Sequence, residues 1–220
     1  MCNLYALTKG QDAIRQVSKA TRGTISNLPF MPASFPIPPL PSCAAPRMAM
    51  RELAVTRWGM PSPAFALEGH SADPGVANVR NVKSPHWRRW LSIEHRCLVP
   101  FTSFSEYATG TDGRKVPIWF AANEERPLLF FAGIWTNWTS VRKIKEGEVN
   151  ADLFAFLTTD ANGVVGSIHP KATPVILRDE DEIETWMAAP ADEALKLQRP
   201  LLDDALRTIA RGERSDGITA

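Results

Sequence analysis

Cys2 stands directly behind Met1, and that position gives it a chemistry no internal cysteine has. Cysteine is small enough for removal of the preceding methionine to be expected, which leaves a free α-amine and a thiol on neighbouring carbons. Their reference pKa values, about 7.7–8.0 for the amine and about 8.5 for the thiol, leave part of each nucleophile unprotonated near neutrality. Such a 1,2-aminothiol captures an aldehyde twice, first as a Schiff base and then as a thiazolidine ring. The competing reading is an ordinary cysteine packed in a strand. A second chemical group is Glu106, the single carboxylate in Phe101-Thr102-Ser103-Phe104-Ser105-Glu106-Tyr107. A lone Glu among aromatics is a candidate for a raised pKa and acid/base work, against the alternative of a strand-end Glu facing water. His169 lies between two apolar runs, beside Pro170 and Lys171; histidines at such loop mouths are often structural.

The elements that must position these groups follow from periodicity and punctuation. Leu4–Leu7 reads as a short strand, and Thr8 with Gln11 as a capping box opening a helix to about Ala20. The Pro-rich residues 21–46 exclude a regular helix or a central strand and predict a long ordered connection wrapping the surface. Met48–Trp58 has a strand-like period and ends in the turn Arg57-Trp58-Gly59-Met60-Pro61. Val76–Val82 alternates, so a strand there would place Asn78 and Arg80 on one face. Ser84-Pro85 predicts the start of a short helix over 86–91, with Trp87 and Trp90 packing inward and Arg88 and Arg89 in water. Cys97–Pro100, Val116–Ala121, Pro127–Ile134 and Leu153–Thr158 read as strands, with polar turns at 123–125 and 142–150. Helices are expected over 179–188 and 191–202, and the tail from Arg211 is expected to fray.

Composition narrows the class. The length of 220 residues and 44% hydrophobic content suit one domain, placed at 1–210 with 211–220 as a flexible tail. No apolar run is long enough to cross a bilayer and the start lacks a signal-peptide layout, so a cytoplasmic protein with no membrane partner is expected. Cys2, Cys43 and Cys97 cannot all pair with one another and show no C-x-x-C spacing, which argues against a disulfide framework and against a metal site. A formal charge of +1 leaves only a local basic patch for nucleic acid. No Gly-rich phosphate loop, H-E-x-x-H pair or G-x-S-x-G elbow occurs.

Five stretches together resemble the SOS-response-associated peptidase (SRAP) family: Met1-Cys2-Asn3; Arg57 to Pro61; Asn78-Val79-Arg80; Arg96 to Pro100 through Glu106; and Ile168-His169 with Pro174 to Leu177. The order matches and spans residues 2 to 177. The resemblance implies an α+β fold, a single domain with a strand-rich, largely antiparallel, barrel-like core and peripheral helices. It implies a sensor of abasic sites in single-stranded DNA, working without a cofactor and as a monomer, nucleoid-associated when on DNA. The peptidase label then refers to removal of whatever precedes the cysteine. Carried over by position, Cys2 is the nucleophile, Asn78 and Glu106 stand beside it and His169 opposite. Arg80 and Thr158 match positions facing the DNA backbone.

Departures from the family pattern bear on DNA contact. Leu4 occupies the place of a phosphate-facing arginine, Lys171 that of another, and Val82 that of an acid. The aromatic pair after the Trp-Gly turn is replaced by Pro61 to Phe65, leaving Phe65 as the nearby stacking platform. Two rival functions stand beside this one. An N-terminal-nucleophile thiol peptidase would use Cys2 with its own amine as base. A non-covalent single-strand binding module would use Trp87, Arg88, Arg89 and Phe65.

Overall fold

The computed structural model describes residues 2, 4–23, 31–34, 39–44 and 51–216. In chain order the elements are β1 (Leu4–Leu7), α1 (Gln11–Ser18), β2 (Ala20–Arg22), β3 (Met31–Ser34), β4 (Pro39–Ala44), β5 (Arg51–Trp58), β6 (Asn78–Val79) and α2 (Pro85–Arg88). There follow β7 (Arg96–Phe101), β8 (Ser103–Thr109), β9 (Lys115–Ala121), β10 (Leu129–Val141), β11 (Glu148–Thr159) and α3 (Gly163–Gly166). The C-terminal part holds β12 (Thr173–Pro174), β13 (Ile176–Leu177), α4 (Glu180–Ala188), α5 (Ala191–Ala194) and β14 (Arg207–Arg211). The class is α+β, with a strand-rich, antiparallel-dominated core and few helices.

Two sheets form. One runs β14-β9-β8-β1-β3; the other runs β12-β11-β10-β7-β4-β5-β2, with β13 added on β10 and β6 on β11. β11 also pairs in parallel with β5, at Leu153↔Arg57 and Phe154↔Trp58. The larger sheet thus curls back on itself through short pairings, barrel-like in curvature but not closed into a barrel. Strand alternation sorts its side chains into two layers. Val99, Phe131, Phe154 and Phe156 meet Tyr5, Phe104 and Phe120 of the smaller sheet. Leu98, Phe130, Ala132, Leu153 and Leu157 instead meet Ile14, Trp87, Ile183 and Trp186 of the helices. Burial on both faces is why these strands read as continuous apolar runs.

Several sequence expectations need correction. Thr8 does not cap α1: Gly10 holds the N-cap position, while the Thr8 amide and hydroxyl both turn to Thr102 Oγ1 at 3.2 Å. A tertiary partner outcompeted the local one. Within the Pro-rich stretch, β4 lies between β5 and β7 and is no surface connection. Prolines are tolerated because Pro39 and Pro41 pair only with β5, whereas contact with β7 begins at Cys43, so a missing N–H leaves no inter-strand bond unmade on the other side. Residues 24–30, 35–38 and 45–50 of the predicted connection and strand lie outside the described residues.

The strand predicted over 76–82 shrinks to Asn78–Val79, so Arg80 lies beyond it and shares no strand face with Asn78. The turn predicted at 142–150 is shorter, because β10 and β11 stay paired out to Val141↔Glu148. The last predicted helix ends as a 3-10 turn at Leu195–Leu197, just before Pro200. Residues 211–216 do not fray: Asp216 is fully buried, accepts from Ser103 Oγ at 2.8 Å and forms an ion pair with Arg126. Ser84 does cap α2, as its sequence predicts, and Asp179 caps α4. Among the described residues, no helix is long and apolar enough to cross a membrane.

Candidate active site

β1 lies antiparallel on β8, with Leu4 opposite Ser105 and Tyr5 opposite Phe104. Glu106 is the next residue of β8, and its charge is felt at the Cys2 thiol. Cys2 is 1% exposed and Glu106 2% exposed. The Cys2 thiol donates to the Leu4 carbonyl at 3.4 Å, and the Ser105 amide hydrogen-bonds the sulfur. Burial, and then the Glu106 charge, push the thiol well above its ordinary pKa, so it is held protonated. Burial likewise pushes Glu106 up to about 7, opposed by the charge of the chain's N-terminal amine. A carboxyl poised there exists in both forms at neutral pH.

Asn78 arrives from the other sheet. β6 lies parallel to β11 with Asn78 opposite Phe156, so its side chain enters the same layer as Phe156 and Tyr5. Its Nδ2 donates to the Cys2 carbonyl at 3.0 Å. A polar knot holds the preceding chain in place. The Asp73 carboxylate accepts from Ser62 N, Ser62 Oγ and Gly75 N and pairs with Arg142, whose Nη2 donates to Gly59 O at 2.7 Å. Gly75 has φ 77°, and a Cβ there would lie 2.2 Å from Arg142 Nη1, so only glycine fits. Met60 then bridges Val76, and Trp58 Nε1 donates to Ala77 O at 2.8 Å, one residue before Asn78.

His169 follows α3, a one-turn helix capped by the Asn162 side chain, which accepts from Val165 N at 3.0 Å. Its amide is fixed on Val165 O at 2.8 Å. Burial, then the N-terminal charge, Lys171 and Lys115, hold its imidazole below the ordinary histidine pKa. Thr158 is fully buried on the same strand face as Phe156, and its Oγ1 has no hydrogen-bond partner among the described residues. Arg80 is exposed, ion-paired with the exposed Asp160 and in contact with the Lys171 carbonyl at 3.4 Å. Gln198 ties this rim together by donating to Arg80 O at 2.8 Å and Thr158 O at 2.9 Å.

The structure therefore gathers Cys2, Asn78 and Glu106 in one buried place, with His169 on the loop after α3, and links Arg80 to Thr158 and Lys171 at a rim. It does not bring in Arg88, which stands on the exposed face of α2, or Phe65, 76% exposed on a separate turn. Trp87 and Trp90 pack into the core, with the Arg89 guanidinium 3.9 Å over the Trp90 ring.

Sequence reasoning missed Tyr5, whose hydroxyl is buried with no hydrogen-bond partner among the described residues, and whose phenol is held neutral by burial and by nearby Cys2 and Cys97. It also missed the Ser105 amide, Asp160 and Gln198. A polar atom inside the apolar run Leu4–Leu7 was the one available signal for Tyr5. Among the described residues, no cluster of His, Cys, Asp or Glu could hold a metal.

The fold recurs in solved structures. A Bordetella bronchiseptica protein aligns over 96% of this chain and 98% of its own at a TM-score of 0.73 and 22% identity. A Bacteroides thetaiotaomicron protein aligns over 94% and 90% at 0.69 and 21%. A phage-related protein of Bordetella bronchiseptica aligns over 94% and 92% at 0.67 and 18%. No curated protein matches. The model of the SOS response associated peptidase (SRAP) family matches residues 1–211, and the chain belongs to that family.

Proposed function

We propose that this protein senses abasic sites in single-stranded DNA and captures the ring-opened sugar covalently, as a thiazolidine on Cys2 once Met1 is removed. Membership of the family supports a DNA-damage-associated role. The observation that carries the finer reading is the meeting of Cys2, Asn78 and Glu106 in one buried place.

The chemistry balances with one water released. The α-amine of processed Cys2 attacks the aldehyde carbon, the carbinolamine loses its hydroxyl as water, and the S–H adds across the resulting C=N, sulfur to carbon and proton to nitrogen. The amine acts first because burial holds the thiol protonated. Glu106, titrating near 7, takes a proton from the ammonium and returns it to the departing hydroxyl. Asn78, by holding the Cys2 carbonyl, fixes where amine and thiol stand. His169 is assigned to the ring oxygen of the closed sugar: a lowered pKa leaves less imidazolium, but a stronger acid. Arg80 and Lys171 are assigned to backbone phosphates and Phe65 to a stacked base, whereas the buried Thr158 hydroxyl, expected from the sequence to face the DNA backbone, offers no exposed contact to it.

Incubation with abasic single-stranded DNA, followed by a denaturing gel, tests this. Wild type should give a heat-stable conjugate. Cys2→Ala, and a protein carrying an extra residue before Cys2, should not, because an acylated nitrogen cannot form the Schiff base. Unchanged conjugation by Cys2→Ala would overturn the reading.

A further inference from the structure

A groove of about 800 Å³ runs between α2 and α5, on the helix-covered side of the larger sheet. Its floor is aliphatic, made by Val82, Leu91 and Leu195. Its walls carry Lys83, Arg88 and Lys196, all exposed, and none makes an ion pair or side-chain hydrogen bond among the described residues. Among the described residues, Asp192 is the one carboxylate lining it. In a chain whose formal charge is only +1, three cations against one carboxylate around an apolar trough are a local concentration and not a share of a general positive field.

We propose that this groove docks an acidic peptide segment of a partner protein, with aliphatic side chains set between its carboxylates. The floor discriminates against the other polyanion the protein is expected to meet. Single-stranded nucleic acid gains its sequence-tolerant affinity from bases stacked on aromatic rings, and among the described residues no aromatic ring lines this groove, because Trp87 and Trp90 of the adjoining segment turn into the core. An aliphatic floor is filled by leucine or isoleucine side chains, while the cations pair with flanking carboxylates and set orientation and association rate. Gln198 lines the far wall and donates to the carbonyls of Arg80 and Thr158, so the groove abuts the rim of the candidate active site. A partner seated there stands beside the Cys2 site without occupying it.

The probe is a short fluorescein-labelled peptide of alternating aspartate and leucine, followed by anisotropy on the full chain. Wild type and Cys2→Ala should bind it alike, since the groove does not depend on the Cys2 chemistry. The double substitution Lys83→Glu with Lys196→Glu should weaken binding by about tenfold or more, with thermal stability and DNA conjugation unchanged. A control peptide with serine in place of leucine should bind more weakly than the leucine peptide. The proposal is overturned by absence of binding to wild type, by equal binding of the serine peptide, or by indifference to the double substitution. It is also overturned if unlabelled single-stranded DNA displaces the peptide and itself loses affinity in the double variant, which would make the groove part of the nucleic-acid path.

Discussion

The Asn78 side-chain amide donates to the Cys2 carbonyl at 3.0 Å, joining a residue of the larger sheet to one that lies outside both sheets, 76 positions away. Both groups are buried. Asn78→Ala leaves that carbonyl without its donor and should lower stability by about 1–3 kcal/mol. It should also slow conjugation, because the amine and thiol of Cys2 lose the clamp that positions them. Chemical denaturation and single-turnover conjugation measure the two effects; unchanged values for both would show that the clamp does nothing.

Glu106 titrates near 7 in the fold against an ordinary 4.5. An acid raised in this way binds its proton more tightly folded than unfolded. Its stabilising contribution is fully present below pH 4.5 and is lost as pH rises through about 7. Glu106→Gln should therefore be more stable than wild type at pH 8, by up to roughly 3 kcal/mol, and so melt higher there, and converge with it below pH 4.5. Conjugation should meanwhile fall by about 10²–10⁴. A variant melting lower than wild type at pH 8 would mean that burial of the ionised carboxylate does not strain the fold.

His169 and Glu106 should be separable by substrate. On a natural abasic site, where the closed sugar dominates, His169→Ala should slow conjugation within about 10²–10⁴. On an analogue whose aldehyde cannot cyclise, His169→Ala should recover most of its rate and Glu106→Gln should not. Equal slowness of His169→Ala on both would assign the residue to support of the loop after α3.

Arg80 is held by Asp160, and both side chains are exposed. Exposed ion pairs contribute little, roughly 0–1 kcal/mol, so phosphate can displace the carboxylate. Arg80→Ala should reduce the salt slope of single-strand binding by about 0.7. Asp160→Asn should tighten binding at low salt by releasing the guanidinium. If Asp160→Asn binds DNA no better and Arg80→Ala keeps the full slope, Arg80 is a rim strut and touches no phosphate.

The sequence by itself determined what depends on a residue's own bonds and its nearest neighbours. Ser84 and Asp179 capped helices because a short side-chain oxygen reaches an amide two or three residues on. The long apolar runs became strands buried on both faces, and Cys2 behind Met1 defined an aminothiol without any fold at all. Tertiary structure decided whatever depends on groups arriving from far along the chain. Thr8 left the helix it was expected to cap for Thr102. Prolines entered an interior strand because pairing with β7 stops short of them. Asp216 was drawn from an expected loose tail into a fully buried ion pair. Glu106 rises towards 7 for the same reason: desolvation is set by what packs around a carboxyl. Here that packing joins residues, Cys2, Asn78 and Glu106, that are separated by most of the first half of the sequence.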